Sequence, residues 1–457
     1  MVGITDIPYD IFPLVFHHTS SRQTVLNACL VCRTFAEVSI PALYSTISYS
    51  SGDENRKLGP WVTMNQKPQY YAHVVHLTHK CPPYGLTEED PEDVWMKLFP
   101  RLVNLRTYIA SGNGWGPRWI QLAVKALSLC RRLCSVSLPL LEMMDSVSEL
   151  QQAPEVRTLT LRGRPKTWIP SGWDPTKPQA DLVVYARMHC LNIEGQFSKA
   201  CWANPIDMLP RMLNLVRLDL IEMSVKIDFH ALLAHIGKLK QLEHLAFTPV
   251  LKDDAAPLPE RWIQLPELRT LHFGYLQNDG TKAALNDLCG WVDAVSERSP
   301  LRTLAIRGLE NSGCKLPARM LNTIRSHSET LKTLDLSLIV FTPEHLRKLL
   351  ESVPQLQELS FSATKWQICE TFLRTDIEAE LMLEKIILRC HWHPKESSEF
   401  ASEDAEILMR KGLVHLRYLS VNRWLWERLW FLCENGMMER RMLDPVWLTK
   451  DRDVLVI

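Results

Sequence analysis

The chain has 457 residues, 46% of them hydrophobic and 23% charged, with 52 Lys plus Arg against 52 Asp plus Glu. That composition supports a buried core along the whole chain and excludes intrinsic disorder, while the balanced charge leaves no net field to attract nucleic acid or an anionic membrane. No apolar run is long enough to cross a bilayer, and Asp6 and Pro8 stand where a secretory signal has a basic start and an apolar stretch, so the expected compartment is the cytoplasm or nucleus.

Residues 1–49 form the first expected domain. Ile7-Pro8 is followed by Ile11, Phe12, Val15 and Phe16, then a polar stretch from 17 to 23, then apolar runs over 25–32 and 36–43. The spacing predicts three short helices, the last ending near Leu43-Tyr44. So small a bundle buries little apolar surface alone and gains from docking against something else. A polar connector follows at 50–59.

From there to residue 421 a pattern of the form Leu-x-x-Leu-x-Leu keeps returning, clearest at Leu215/Leu218/Leu220, Leu268/Leu271/Phe273 and Leu331/Leu334/Leu336. The middle anchors fall at 77, 108, 136, 159, 191, 218, 245, 271, 304, 334, 359, 386 and 419, about 28 residues apart on average, which is the spacing of leucine-rich repeats with insertions. Alternation about each mark predicts a short strand with one buried face, as at 333–337, where Leu334 and Leu336 point inward. Between marks the spacing predicts helices, at Phe229 to Leu239 and at Pro343 to Val353, the second with Thr342 ahead of Pro343 as its start. The expected fold is therefore α/β: a solenoid of strand-plus-helix units behind a small three-helix segment.

The rhythm breaks near 162–182, a Pro-rich insertion that carries Trp168 and Trp173, and more briefly at 251–259. Residues 422–457, dense in Trp and Met, lose the period and are expected to cap the open end. The twelve cysteines are scattered from 29 to 433, as expected for small buried hydrophobes in a reducing compartment and not for a disulfide framework.

The N-terminal segment resembles the F-box family, whose pattern runs Leu-Pro-x-Glu-(Leu/Ile), an apolar pair, Val-Cys-(Arg/Lys)-x-(Trp/Phe) and a closing Leu-(Trp/Tyr). The matching residues are Ile7-Pro8-Tyr9-Asp10-Ile11, Val15-Phe16, Leu30-Val31-Cys32-Arg33-Thr34-Phe35 and Ala42-Leu43-Tyr44, with Ile7, Asp10 and Phe35 departing conservatively. The pairing with leucine-rich repeats is similar to many fungal F-box proteins. The resemblance implies a non-catalytic receptor: the helices dock a Skp-type adaptor and through it a cullin-RING scaffold, and the repeats hold a protein substrate for ubiquitin transfer. Carried over, the adaptor surface comprises Ile7, Pro8, Ile11, Val31, Cys32 and Phe35, closed by Leu43 and Tyr44. The alternative is a repeat scaffold or inhibitor that binds one protein partner with no link to ubiquitin.

Outward strand positions and the Pro-rich insertion are the candidate substrate contacts: Arg162, Trp168, Trp173, Arg217, Asp219, His272, Arg307, Asp335 and Arg389. Trp and Arg concentrate binding energy at interfaces, and the outward row mixes both charges with small polar groups, as suits a protein ligand better than a polyanion. No metal or cofactor is expected. Cys29-x-x-Cys32 has no second Cys-x-x-Cys to complete a zinc site and reads as a pair in a helical core, and Cys390-His391-Trp392-His393 reads as a strand end turning outward. Phosphate loops and nucleophile elbows are absent from the sequence.

Overall fold

The structure is a computed structural model that describes residues 11–19, 21–50, 60–81, 91–111, 115, 117–139, 150, 152–162, 187–194, 209–221, 229–247, 263–275, 282–308, 314–315, 318–364, 368, 371–372, 381–390, 400–409, 413, 415–422, 424–432, 438–442 and 446–447. The chain divides into two compact units, Met1–Leu215 and Val216–Ile457.

The first unit opens with α1 (Ile11–His18), α2 (Arg22–Cys29) and α3 (Arg33–Ser45). Side chains start two of them: Ser21 Oγ accepts the Thr24 N–H ahead of α2, and Cys32 Sγ accepts the Phe35 N–H ahead of α3. Phe12 and Phe16 of α1 pack on Phe35, with ring centroids 4.9 and 5.8 Å apart. The chain then alternates β1 (Thr46–Tyr49), α4 (Pro60–Gln66), β2 (His76–His79), α5 (Pro91–Leu98), β3 (Thr107–Ala110), α6 (Pro117–Leu127), β4 (Ser135–Pro139), β5 (Thr158–Arg162) and β6 (Cys190–Glu194). Each strand is parallel to the next, and the pairing sets Ile47, Leu77, Tyr108, Val136, Leu159 and Leu191 side by side.

In the second unit the order is β7 (Arg217–Ile221), α7 (Phe229–Ile236), β8 (His244–Phe247), β9 (Thr270–Tyr275), α8 (Lys282–Ser296), β10 (Thr303–Gly308), β11 (Cys314–Lys315), α9 (Ala318–Ser326), β12 (Thr333–Val340), α10 (Pro343–Ser352), β13 (Glu358–Ala363), β14 (Lys385–Cys390), α11 (Ser402–Ile407) and β15 (Tyr418–Val421). Leu218, Leu245, Leu271, Leu304, Leu334, Leu359, Ile386 and Leu419 occupy one parallel register. All thirteen sequence marks therefore become rungs within their own unit, and the fold is a leucine-rich-repeat α/β stack. Thr342 accepts the His345 N–H, so α10 starts where the Thr-Pro pair predicts.

Two features hold each coil on the next. The carbonyl two residues before a middle anchor accepts two N–H groups of the following coil: Val75 O from Arg106 and Thr107, Arg106 O from Cys134 and Ser135, and, in the second unit, Val216 O from Glu243 and His244 and Arg269 O from Arg302 and Thr303. Ahead of this, a buried apolar residue three positions before the first leucine closes a tight turn. Leu102, Met212, Leu239, Leu265 and Val353 accept the N–H of Leu105, Leu215, Leu242, Leu268 and Leu356 at 2.9–3.2 Å. The repeat thus has a fourth anchor that the three-leucine pattern omits.

Strand β1 is a further addition, with Tyr44, Ile47 and Tyr49, all buried, filling the three anchor positions in place of leucine. At the end of the second unit, Asn422, with φ 55° in the left-handed region, follows β15 and precedes β16 (Trp424–Leu432). β16 runs antiparallel to β15 and in turn pairs with β17 (Met438–Met442) and β18 (Val446–Trp447), so the last parallel strand does not end in a bare edge.

Among the described residues, one inward strand anchor is polar. His79 takes a place in β2 where a leucine would normally sit and is buried among Tyr49, Trp95, Tyr108 and Trp115, its ring stacked on Trp95 and its Nδ1 3.1 Å from the Tyr108 hydroxyl. Burial holds its pKa down to about 3, because an imidazolium there would lose its hydration.

Replacing Leu271 or Leu334, both fully buried, by Ala is expected to cost about 2–5 kcal/mol in chemical denaturation. For His79 the folded pKa lies below the unfolded value, so its neutral form supports stability fully above pH 6.5 and loses that support as pH falls toward 3. Within that window, stability of the native chain should fall relative to a His79→Phe variant by up to about 1.4 kcal/mol per pH unit. Parallel urea titrations between pH 3 and 7 check this; equal slopes would contradict the assigned burial.

Candidate functional site

Among the described residues, the helices before the stack hold half of the exposed large hydrophobic side chains. Of those twelve, six, Ile11, Leu14, Val15, Leu26, Leu30 and Val31, lie on α1, α2 and the turn after α2. The helical period explains the division. Phe12 and Phe16 turn toward α3, which leaves Ile11, Leu14 and Val15 as a stripe at spacings of three and four on the other side of α1. On α2, Val25 is buried while Leu26 and, one turn on, Leu30 face outward. Leu30 and Val31 are 79% and 65% exposed, the highest values among these twelve.

Set against the residues singled out in the sequence, Ile11, Val31 and Cys32 are exposed, Phe35 is half-buried by α1, and Leu43 is half-buried. Ile7 and Pro8 lie outside the described residues. Tyr44 requires a correction: it is buried as the first anchor of the β1 coil, its ring 4.9 Å from that of Tyr70, so it closes the core and offers no face to a partner. The Cys29-x-x-Cys32 pair also differs from the expected core pair, because Cys32 is exposed and only Cys29 is half-buried. Leu14, Val15, Leu26 and Leu30 are the exposed residues on these helices that the carried-over surface leaves out; their signal was the helical spacing itself.

The outward strand positions supply a second, polar surface. In the first unit Arg162 on β5 pairs across the ladder with Glu194 on β6 at 3.3 Å, and Asn192 donates to Thr160 at 3.2 Å. In the second unit Arg217 Nε meets Asp219 Oδ2 at 2.8 Å, and His244 Nε2 lies 2.9 Å from Asp219 Oδ1, an electrostatic contact and not a well-aligned hydrogen bond. The His244 and His272 rings meet edge to face at 5.1 Å. Burial pushes the Asp219 carboxyl up, but His244 and Arg217 outweigh it and hold it below its ordinary value. Arg217 and Asp219 on β7 are thus linked to His272 on β9 through His244 on the strand between them, yet Asp219 is 2% exposed and acts by organising its neighbours, with no surface of its own to touch a partner. Asp335 on β12 is half-buried and accepts the Ser337 N–H. Arg307 and Arg389 lie on β10 and β14, in register with Gly274 and Ser362. Trp168 and Trp173 fall outside the described residues, as do His391 and His393.

A Ser-His contact that the sequence does not reveal joins α8 to the turn after α9: Ser296 Oγ lies 3.2 Å from His327 Nε2, near Asp293. Both side chains are buried and the hydroxyl donates to the Val292 carbonyl, so the group packs helices together and presents no nucleophile to solvent. Asp293 meanwhile accepts from Arg319 at 2.7 Å and from Thr323.

No protein-family model matches the sequence, and no curated protein does. Among solved structures, a leucine-rich-repeat protein of Leptospira interrogans is similar at 12% identity over 83% of this chain and 96% of that chain, with a TM-score of 0.30.

Because the folded Asp219 carboxyl titrates below its ordinary 3.8, its contribution to stability is present above that pH and disappears as pH falls through the lowered value. An Asp219→Asn variant should therefore be less stable than the native chain at neutral pH and converge with it under acid. Denaturation midpoints across the acid range would show it, and a gap that widens on acidification would contradict the pairing.

Proposed function

We propose that the chain is the substrate-recognition subunit of an SCF-type, cullin-RING ubiquitin ligase. In this reading the N-terminal helices dock a Skp-type adaptor and the repeats hold a protein substrate. The observation that supports it is the concentration of exposed Ile11, Leu14, Val15, Leu26, Leu30 and Val31 on the helices that resemble an F-box. Apolar side chains exposed in such number on so short a segment cost solubility unless a partner covers them. A helical partner would fill the stripes at spacings of three and four, with the exposed aliphatic groups at the centre of the interface. The reading assigns the chain no chemistry and no cofactor, and sets its work in the cytoplasm or nucleus.

The stack would contribute the second half of the role. Its outward rows are polar and of both signs, and Arg162, Arg217, His272 and Asp335 are the described candidates for contact with a substrate. Parallel strands in one register hold such side chains at fixed spacing, which suits a protein surface read at several points.

A Leu30→Glu/Val31→Glu variant of the full chain tests the reading. Both side chains are exposed, so thermal melting should be nearly unchanged. Co-purification with a Skp-type adaptor should fall at least about tenfold, the effect of about 1.4 kcal/mol lost from an interface. A native chain that captures no adaptor, or a variant that captures it equally well, would favour the alternative of a repeat scaffold that binds one protein and takes no part in ubiquitin transfer.

A further inference from the structure

The two most exposed aliphatic residues of the helical segment sit between two thiols. Cys29 ends α2, Leu30 and Val31 form the turn, and Cys32 precedes α3. The turn is held by the Leu30 N–H on Asn27 O at 3.0 Å and the Val31 N–H on Ala28 O at 3.1 Å, so the backbone stays turned from the end of α2 to Val31, next to Cys32. Cys32 is exposed and its sulfur caps α3 by accepting the Phe35 N–H at 3.4 Å. Cys29 is half-buried beside Ser39, whose hydroxyl is itself buried and has no well-formed hydrogen bond to a protein oxygen or nitrogen. No other pair of cysteines in the sequence is separated by only two residues.

We propose that Cys29 and Cys32 close into a reversible intrachain disulfide that reshapes the Leu30-Val31 turn and withdraws the sulfur cap from α3, switching off docking at this face. The role in docking rests on the receptor reading above; closure of the bond does not. With a small-molecule disulfide such as oxidised glutathione as co-reactant, the Cys32 thiolate attacks one sulfur. The glutathione S–S bond breaks, and the first glutathione leaves as a thiolate that takes a proton. The Cys29 thiolate then attacks Cys32 Sγ in the mixed disulfide and expels the second glutathione. Two protein thiols are oxidised, one glutathione disulfide is reduced to two thiols, and the two protons pass to the products. The order follows from access, since Cys32 is the exposed sulfur and burial pushes the Cys29 thiol up, which suits it to the resolving role.

Closure changes what a partner would meet. Closing the bond brings the two sulfurs to about 2 Å with a torsion near a right angle, and in this proposal that movement withdraws Cys32 Sγ from its 3.4 Å contact with the Phe35 N–H. Loss of the cap frees the first turn of α3, whose Phe35 carries α1, and the two exposed aliphatic side chains move with the turn.

The full chain can be tested directly, because cleavage after Arg22 and Arg33 yields one peptide that contains both cysteines and no other. After exposure to oxidised glutathione and alkylation of remaining thiols, the peptide should be lighter than its reduced form by two hydrogens and carry no alkyl group. A Cys29→Ser chain should instead give a glutathione adduct on Cys32. Capture of a Skp-type adaptor by the closed chain should fall at least about tenfold and return with dithiothreitol, while the reduced Cys29→Ser chain, which keeps the cap and the apolar side chains, should bind like the native one. A native peptide that stays open, or a closed chain captured as well as the reduced one, would overturn the proposal. If the reduced chain captures no adaptor, the receptor reading fails and the docking role with it, whereas the peptide mass still decides whether the thiols close.

Discussion

A shared carbonyl between successive coils carries the architecture. The main-chain oxygen two residues ahead of a middle anchor accepts two N–H groups from the next coil at Val75, Arg106, Cys134 and Arg157 in the first unit and at Val216, Glu243, Arg269, Arg302, Lys332, Gln357 and Glu384 in the second. A buried backbone donor left without an acceptor costs on the order of 1–3 kcal/mol, so a slip of one residue would orphan two donors at every step and turn every leucine to the wrong face. This is why insertions of very different length are accepted between strands while the middle anchors of each unit stay in register; the one shift, between Leu336 and Val340 opposite β13, falls beyond the anchors. The aliphatic rungs drive burial, and the shared carbonyl decides where each rung sits.

The helices at the front obey a different balance. They are too short to bury their apolar residues on both sides, and the three phenylalanines Phe12, Phe16 and Phe35 use one side for their own core. What remains, at the opposite positions of α1 and along α2, faces solvent. Tyr44 marks the frontier between the two regimes: its chemistry fits a docking face, but its position three residues ahead of Ile47 makes it the first anchor of the stack, and burial of the ring prevails.

On the polar face, charge is largely neutralised internally before any partner arrives. Arg162 answers Glu194, Lys385 lies 3.7 Å from Glu358, and Arg217 and His244 answer Asp219. Such pairs contribute little to stability where they are exposed, but they fix the direction of long side chains and so reduce the entropy lost on binding. The Asp219 cluster differs because its carboxylate is buried, which makes its two neighbours less free to leave.

The period of the leucines, read from the sequence alone, determined the α/β stack, all thirteen rungs and the helix that starts at Thr342-Pro343, because burial of one strand face every turn of the chain is a local, repeating requirement. The three front helices were legible for the same reason. Strand β1 escaped because tyrosine and isoleucine replace its leucines, and the fourth anchor escaped because it serves a turn and belongs to no alternating strand. Which groups meet across coils was decided only by the tertiary structure. Asp219 with His244, Ser296 with His327, and His79 inside its aromatic cage are each more than twenty residues apart in the chain or depend on which way a ring is packed. The same holds for exposure: a leucine on α2 and a leucine on β9 look alike in sequence, and only the presence or absence of a neighbouring coil makes one a surface and the other a rung.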